Sequence, residues 1–283
     1  VTVPGPVPLF HLVFTNAPGP GGGGFRHLAP GAAPPDAARV RAWLEALRPE
    51  RAGVPGWVAG AFRLDGVLHV AVARAAGSPA GDEHGRPGTL LAHAVVAPAG
   101  EGGPDRALLP ALVAGLAEVA GPPREGGELA GLLGRCGGAR ELAPPPAAAA
   151  ALAGVDPRLL AALLAASHDP DRRVEVPLGD DPPAAGARRV AAAAGALPPR
   201  LRLALQWSVA ARPLPATALA LLAGAGPAPP PARGPAADYQ GWLGARLAAG
   251  DQGAVAAVTG DWEVRSWRQL AARAAEPVAR GSR

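Results

Sequence analysis

Residues 57–74 read WVAGAFRLDGVLHVAVAR. Two runs of β-forming residues, 57–64 and 67–74, flank the dipeptide Asp65-Gly66. A two-residue hairpin turn of this kind needs positive φ at both central residues, which Asp and Gly accept at low steric cost. The spacing predicts a β-hairpin, with an antiparallel or mixed sheet built around it. N-terminal to it, residues 7–15 (VPLFHLVFT) are apolar and β-rich, and stop at Asn16 before a Pro/Gly tract, which predicts a strand. Asp36 follows two prolines and predicts a helix start, with Val40, Trp43, Leu44 and Leu47 on one face. C-terminal to the hairpin, residues 90–97 predict another strand and residues 105–120 a helix carrying Leu108, Leu109, Leu112, Val113 and Leu116.

Pro144–Pro146 and the alanines after them mark a boundary. Beyond it the pattern turns helical, over residues 157–167, 184–194, 199–211 and 216–223. Leu201, Leu203, Leu205 and Trp207 alternate with period two, which makes that segment ambiguous between helix and strand. Residues 225–234 are Pro-rich and read as a linker. Residues 238–249 predict a helix, and Ser266-Trp-Arg-Gln269 has the spacing of a capping box opening a last one. The fold class is therefore an α+β N-terminal domain over 1–143, a mainly α-helical domain over 152–250, and a tail over 251–283 with a short helix.

The chain has 283 residues, long enough for two ordinary domains. It contains no Lys, Ile or Met, one Asn and one Tyr, the usage of a GC-rich coding sequence. Every one of its 27 basic residues is Arg, so the sequence pI of 10.7 overstates a formal charge of only +4. The arginines are scattered without a dense patch, and no nucleic-acid partner is expected. Without lysine there is no Walker A, kinase-strand or Schiff-base lysine, which excludes those chemistries. One cysteine, Cys136, excludes an internal disulfide and a multi-cysteine zinc site, and it reads as a small buried residue. The longest apolar stretches fall short of a membrane span, and no signal sequence opens the chain, so a cytoplasmic protein is expected.

The most distinctive polar segment is Gly81-Asp-Glu-His-Gly-Arg-Pro-Gly-Thr-Leu-Leu-Ala-His93. Arg86 offers planar donors for a phosphate or carboxylate, and Asp82 could orient it or a histidine. The same residues suit an internal Asp–Arg pair that ties down a loop, with His93 satisfied near the core. Asp82, His84 and His93 match no established zinc spacing, so neither metal nor cofactor is expected. The four glycines of residues 21–24 lack the pattern and the lysine of a phosphate loop. Ser167-His168-Asp169 suits a helix end before Pro170 better than a catalytic triad, whose members come from separated positions.

Two segments taken together resemble the N-terminal domain of the bacterial GTPase-associated protein 1 family. They are His11-Leu-Val-Phe-Thr-Asn16 with Gly24-Phe-Arg-His-Leu-Ala29, and Asp82-x-x-Gly85-Arg86-Pro-Gly88 with Leu91-Ala-His93-Ala. Leu197-Pro-Pro-Arg-Leu-Arg202 and Leu205-Gln-Trp-Ser208 are similar to that family's middle domain. The resemblance covers residues 9–245. It implies a GTPase or other protein partner in a bacterial conflict or signalling system, and no catalysis. It also implies a shared ligand-binding or fold-defining cluster of Thr15, Phe25, Asp82, Gly85, Arg86 and His93. The alternative is a nucleotide- or phosphate-sensing domain, or a hydrolytic enzyme, working through Asp82, Arg86 and His93.

Overall fold

The computed structural model describes residues 8–17, 24–51, 53–77, 90–99, 112–113, 126–136, 152, 154–223 and 231–276. The fold is α+β. The strands are β1 (Phe10–Thr15), β2 (Arg26–Leu28), β3 (Gly56–Leu64), β4 (Val67–Gly77), β5 (Leu90–Pro98), β6 (Val174–Pro177), β7 (Trp207–Val209) and β8 (Leu219–Leu222). They form one mixed sheet in the order β2-β1-β5-β4-β3-β7-β8-β6. Pairing is antiparallel from β2 to β7, and parallel among β7, β8 and β6. The hairpin turn is as expected, with φ of 47° at Asp65 and 80° at Gly66.

Eight helices are described: α1 (Ala37–Ala46), α2 (Gly126–Arg135), α3 (Pro157–His168), α4 (Pro183–Ala194), α5 (Pro199–Ala204), α6 (Pro235–Ala248), α7 (Gln252–Thr259) and α8 (Trp267–Ala275). Strand side chains alternate between faces, so register assigns each one to a layer. Leu12, Phe14, Ala71, Ala73, Ala92, Ala94 and Val96 pack with Val40, Trp43, Leu44 and Leu47 of the α1 region. On the other face, Trp57, Ala59, Val72, Val95, Trp207, Val209 and Leu221 pack against Leu163 of α3 and Val190 of α4. Val13 and Leu91, also on that second face, meet Leu129 and Leu132 of α2. Helices thus cover both faces, and the central strands are buried almost throughout.

Helix α4 lies very close to the sheet. A Cβ at Gly186 would sit 2.5 Å from Leu178 Cδ1 and 3.0 Å from Val209 Cγ1. A side chain there would displace the end of Leu178 and press on Val209, and the buried alanines 187, 191 and 194 on the same helix continue the close approach. Among the described residues no helix is long and apolar enough to cross a membrane.

The second half contains more strand than its sequence pattern indicates. The helix expected over 199–211 ends at Ala204, and Trp207–Val209 forms β7; that expected over 216–223 is instead strand β8. The period-two alternation of Leu201 to Trp207 was the one local signal for the first change. The run at residues 219–222 is apolar in every position, and a fully buried strand is indistinguishable from a buried helix by periodicity. Strand β6 had no separate signal, and at four residues it is too short to carry one. Two caps also differ. Asp36 makes no side-chain cap bond. Gln269 returns to the N–H of Arg265, while Ser266 Oγ accepts from the N–H of Gln269 as expected. Of the helix expected over 105–120, only Leu112 and Val113 are described, and both are helical and buried.

Candidate functional site

Asp82, His84, Gly85 and Arg86 lie outside the described residues. Thr15, Phe25 and His93 are described, and Phe25 stands apart from the other two. Thr15 pairs with Leu91 and Val13 with His93, so Thr15 and His93 share the face covered by α2. Thr15 is fully buried, and its Oγ1 accepts from the N–H of Ala17 at 2.9 Å, closing the turn at the end of β1. Asn16 Oδ1 accepts from the N–H of Leu90 at 2.6 Å, clamping the start of β5 beside it. Phe25 lies toward the opposite face. Its ring stacks on Phe14 at 5.2 Å, and it remains 62% exposed.

Among the described residues, His93 meets two side chains that the resemblance does not name. His11 pairs with Val95 and Val13 with His93, which makes His11 and His93 diagonal neighbours on one face. His11 Nδ1 lies 3.0 Å from His93 Nε2, and Cys136 Sγ, just past the end of α2, lies 3.6 Å from that same nitrogen. All three residues are buried. Val13, Leu91, Leu129 and Leu132 belong to the apolar cluster that contains Cys136. His93 Nδ1 is buried without a hydrogen-bond partner. On β4, Arg74 is directly opposite His93, and its guanidinium lies 5.8 Å from the centre of the Trp57 ring.

Electrostatics keep this imidazole neutral. Burial first, then the charges of His11 and Arg74, push the pKa of His93 down to about 3. Burial also lowers the Arg74 guanidinium from its ordinary value. A neutral His93 does not itself supply the imidazolium of an imidazolium–thiolate pair with Cys136. Neutral imidazole and thiolate are, however, the ligands that a soft transition ion prefers.

The depressed value has a consequence for stability. In the unfolded chain His93 takes a proton near its ordinary pKa of about 6.5, but in the fold only near 3. Between those values the unfolded state binds more protons, so acidification weakens the fold. The fold should lose about 2 kcal/mol between pH 7 and pH 5 from this residue. Urea midpoints across that range would show it, and His93→Gln should remove the corresponding slope. A slope that survives the substitution unchanged would assign the acid sensitivity elsewhere.

Ser167-His168-Asp169 does end a helix. His168 is the last residue of α3, Asp169 caps it, and the His168 ring packs edge-on against Trp267. Beside them a shallow cleft is lined by His168, Asp169, Arg172 and Arg233. Comparison of the chain with protein-family models, curated proteins and solved structures found no match.

His93 and Cys136 were both visible as residues of interest in the sequence. His11 was visible only inside the expected strand over 7–15 and as the first residue of the segment that carries the family resemblance. Its sole local signal was an imidazole inside a run that otherwise lacks polar groups before Thr15.

Proposed function

We propose that this protein is a non-catalytic interaction component of a bacterial GTPase-linked conflict or signalling system. Support comes from the resemblance of residues 11–29 and 82–94 to the GTPase-associated protein 1 family. In this reading residues 1–143 carry the recognition surface, residues 152–250 are its mainly helical scaffold, and 251–283 form the tail. The partner is a GTPase or another protein of the same system, and neither nucleic acid nor membrane takes part.

One structural observation carries the reading furthest. Phe25 is a large aromatic left exposed on the described surface, directly before the short strand β2 at the sheet edge. Its stacking on Phe14 holds the ring in place, so its apolar face is presented at little conformational cost. Exposed, pre-positioned aromatics are the residues that dominate binding energy at protein interfaces. The α+β body supports it through the β1–β2 pairing and a His27–Glu45 contact of 2.7 Å to α1.

This reading expects a GTPase gene beside that of the chain, and the test is association of the two purified proteins in the GDP- and GTP-bound states. Phe25→Ala should weaken that complex about tenfold or more, the effect of losing an aromatic anchor, and leave the melting temperature within a few degrees. Absence of association in every nucleotide state would remove the proposal. Association that is indifferent to Phe25 would move the surface elsewhere on the chain.

A further inference from the structure

We propose that His11, His93 and Cys136 form a binding site for a soft transition-metal ion, and that its occupant is monovalent copper. This inference is independent of the partner reading, since it rests on a buried cluster on the face away from Phe25.

Geometry comes first. The three side chains offer two imidazole nitrogens and a sulfur that all lie within 4.8 Å of one another. Typical metal–nitrogen and metal–sulfur bonds, at angles from tetrahedral to trigonal, separate two nitrogens by about 3.3–3.6 Å and a nitrogen from a sulfur by about 3.6–3.8 Å. The Cys136–His93 separation of 3.6 Å already lies in that range, and the His11–His93 separation of 3.0 Å has to open by about half an ångström. The ligands come from three elements: β1, β5 and the residue after α2. An ion held by them would bridge the helix to the sheet. Two are fixed by strand register and the third is anchored by Leu129 and Leu132 in the apolar layer, so little ordering is left to pay on binding.

Chemistry chooses the ion. A thiolate and two neutral imidazoles are a soft donor set with no carboxylate, which disfavours magnesium, calcium and manganese. Charge then separates copper from zinc. One thiolate neutralises a monovalent ion, whereas a divalent ion would leave a net positive charge in a buried site. Arg74 is directly across from His93 and adds a further positive charge there. Net charge in an apolar interior is costly, so the monovalent ion is favoured. Three donors also satisfy copper(I), which accepts trigonal coordination, while a zinc site normally recruits a fourth. Binding replaces the thiol proton by the metal–sulfur bond, takes from His11 any proton its ligating nitrogen carries, and releases these protons to solvent, with no change of oxidation state.

The experiment uses the full chain, stripped with chelator and held anaerobically under ascorbate. It is titrated with copper(I) against bathocuproine disulfonate, a chromophoric copper(I) chelator. The expected result is withdrawal of one equivalent of copper from the chelator, with a near-ultraviolet thiolate-to-copper absorption and a raised melting temperature. Cys136→Ser, the near-isosteric change, should weaken retention at least 100-fold and abolish that absorption. His11→Asn should weaken it as well, which separates a three-ligand site from a lone thiol. Each variant is compared at equal circular dichroism, and the stoichiometry of the unaltered chain stands without either. No copper retained by the folded chain, or equal retention after Cys136→Ser, would overturn the site. Zinc(II) retained in preference to copper(I), measured in parallel with a zinc indicator, would overturn the assignment of a monovalent ion.

Discussion

Replacing Trp207 with alanine is expected to remove about 3–5 kcal/mol of stability, the usual cost of truncating a buried aromatic. Trp207 is 1% exposed and belongs to the large cluster that both halves of the chain share. On β7 its backbone pairs with Ala59 of β3 on one side and Leu219 of β8 on the other. It therefore lies where the antiparallel part of the sheet passes into the parallel part. Close packing gives the surrounding side chains little room to collapse into the void. The second consequence concerns cooperativity. If the sheet unfolds as one unit, hydrogen exchange should speed up in β4 and in β8 together, although only β8 is a direct neighbour. Mass spectrometry of exchanged peptides from the two strands would report this. Wild-type protection in β4 beside lost protection in β8 would show that the halves unfold separately.

Arg202→Ala should cost a comparable amount, for a different reason. This guanidinium is 3% exposed. Its Nε and Nη2 donate to the carbonyl of Leu197 at 3.3 and 2.9 Å, and Nη2 also donates to that of Thr259 at 3.3 Å. Leu197 follows α4, and Thr259 is the last residue of α7, where the helix leaves carbonyls without internal partners. Arg202 thus ties the α4–α5 turn to the end of a helix far along the chain, and a cation there also meets the negative end of the helix dipole. Alanine leaves two buried carbonyls short of a donor, at about 1–3 kcal/mol each, and adds a void. A total loss of about 3–5 kcal/mol follows. Arg202→Met fills most of the volume and carries no charge to desolvate, so it should lose less. Urea midpoints that leave the alanine variant within about 0.5 kcal/mol of the unaltered chain would refute this role. The neighbouring Tyr239 belongs to the same layer. Its hydroxyl donates to Ala196 at 2.6 Å, and burial raises its pKa.

Local pattern accounts for a good part of this fold. Asp65-Gly66 requires positive φ wherever it is placed, so the β3–β4 hairpin was legible without knowing any neighbour. The apolar stripes of α1, α3 and α6, and the serine–glutamine spacing that opens α8, are likewise written within single segments. Strand β5 was legible for the same reason. Strands β7 and β8 were not, because residues buried on both faces lose the polar–apolar alternation that distinguishes strand from helix. What makes 219–222 a strand is the vacancy between β7 and β6, and that vacancy exists only in the assembled sheet.

The candidate site divides along the same line. The sequence by itself offered an apolar setting for His93 as one of two readings, and for Cys136 as the better one. It also determined that lysine chemistry is excluded. Only the tertiary structure decided what meets what. Strand register joins His11 to His93 across 82 residues, and the end of α2 brings Cys136 to them across 43. Register likewise turns Thr15 into the core while Phe25, on the same end of the sheet, stacks toward the other face. The physical reason is that propensity and periodicity act over a few residues, whereas a one-residue slip in pairing would move every side chain of a strand to the opposite face. Register is selected by the burial of both layers at once, and that is a property of the folded chain as a whole.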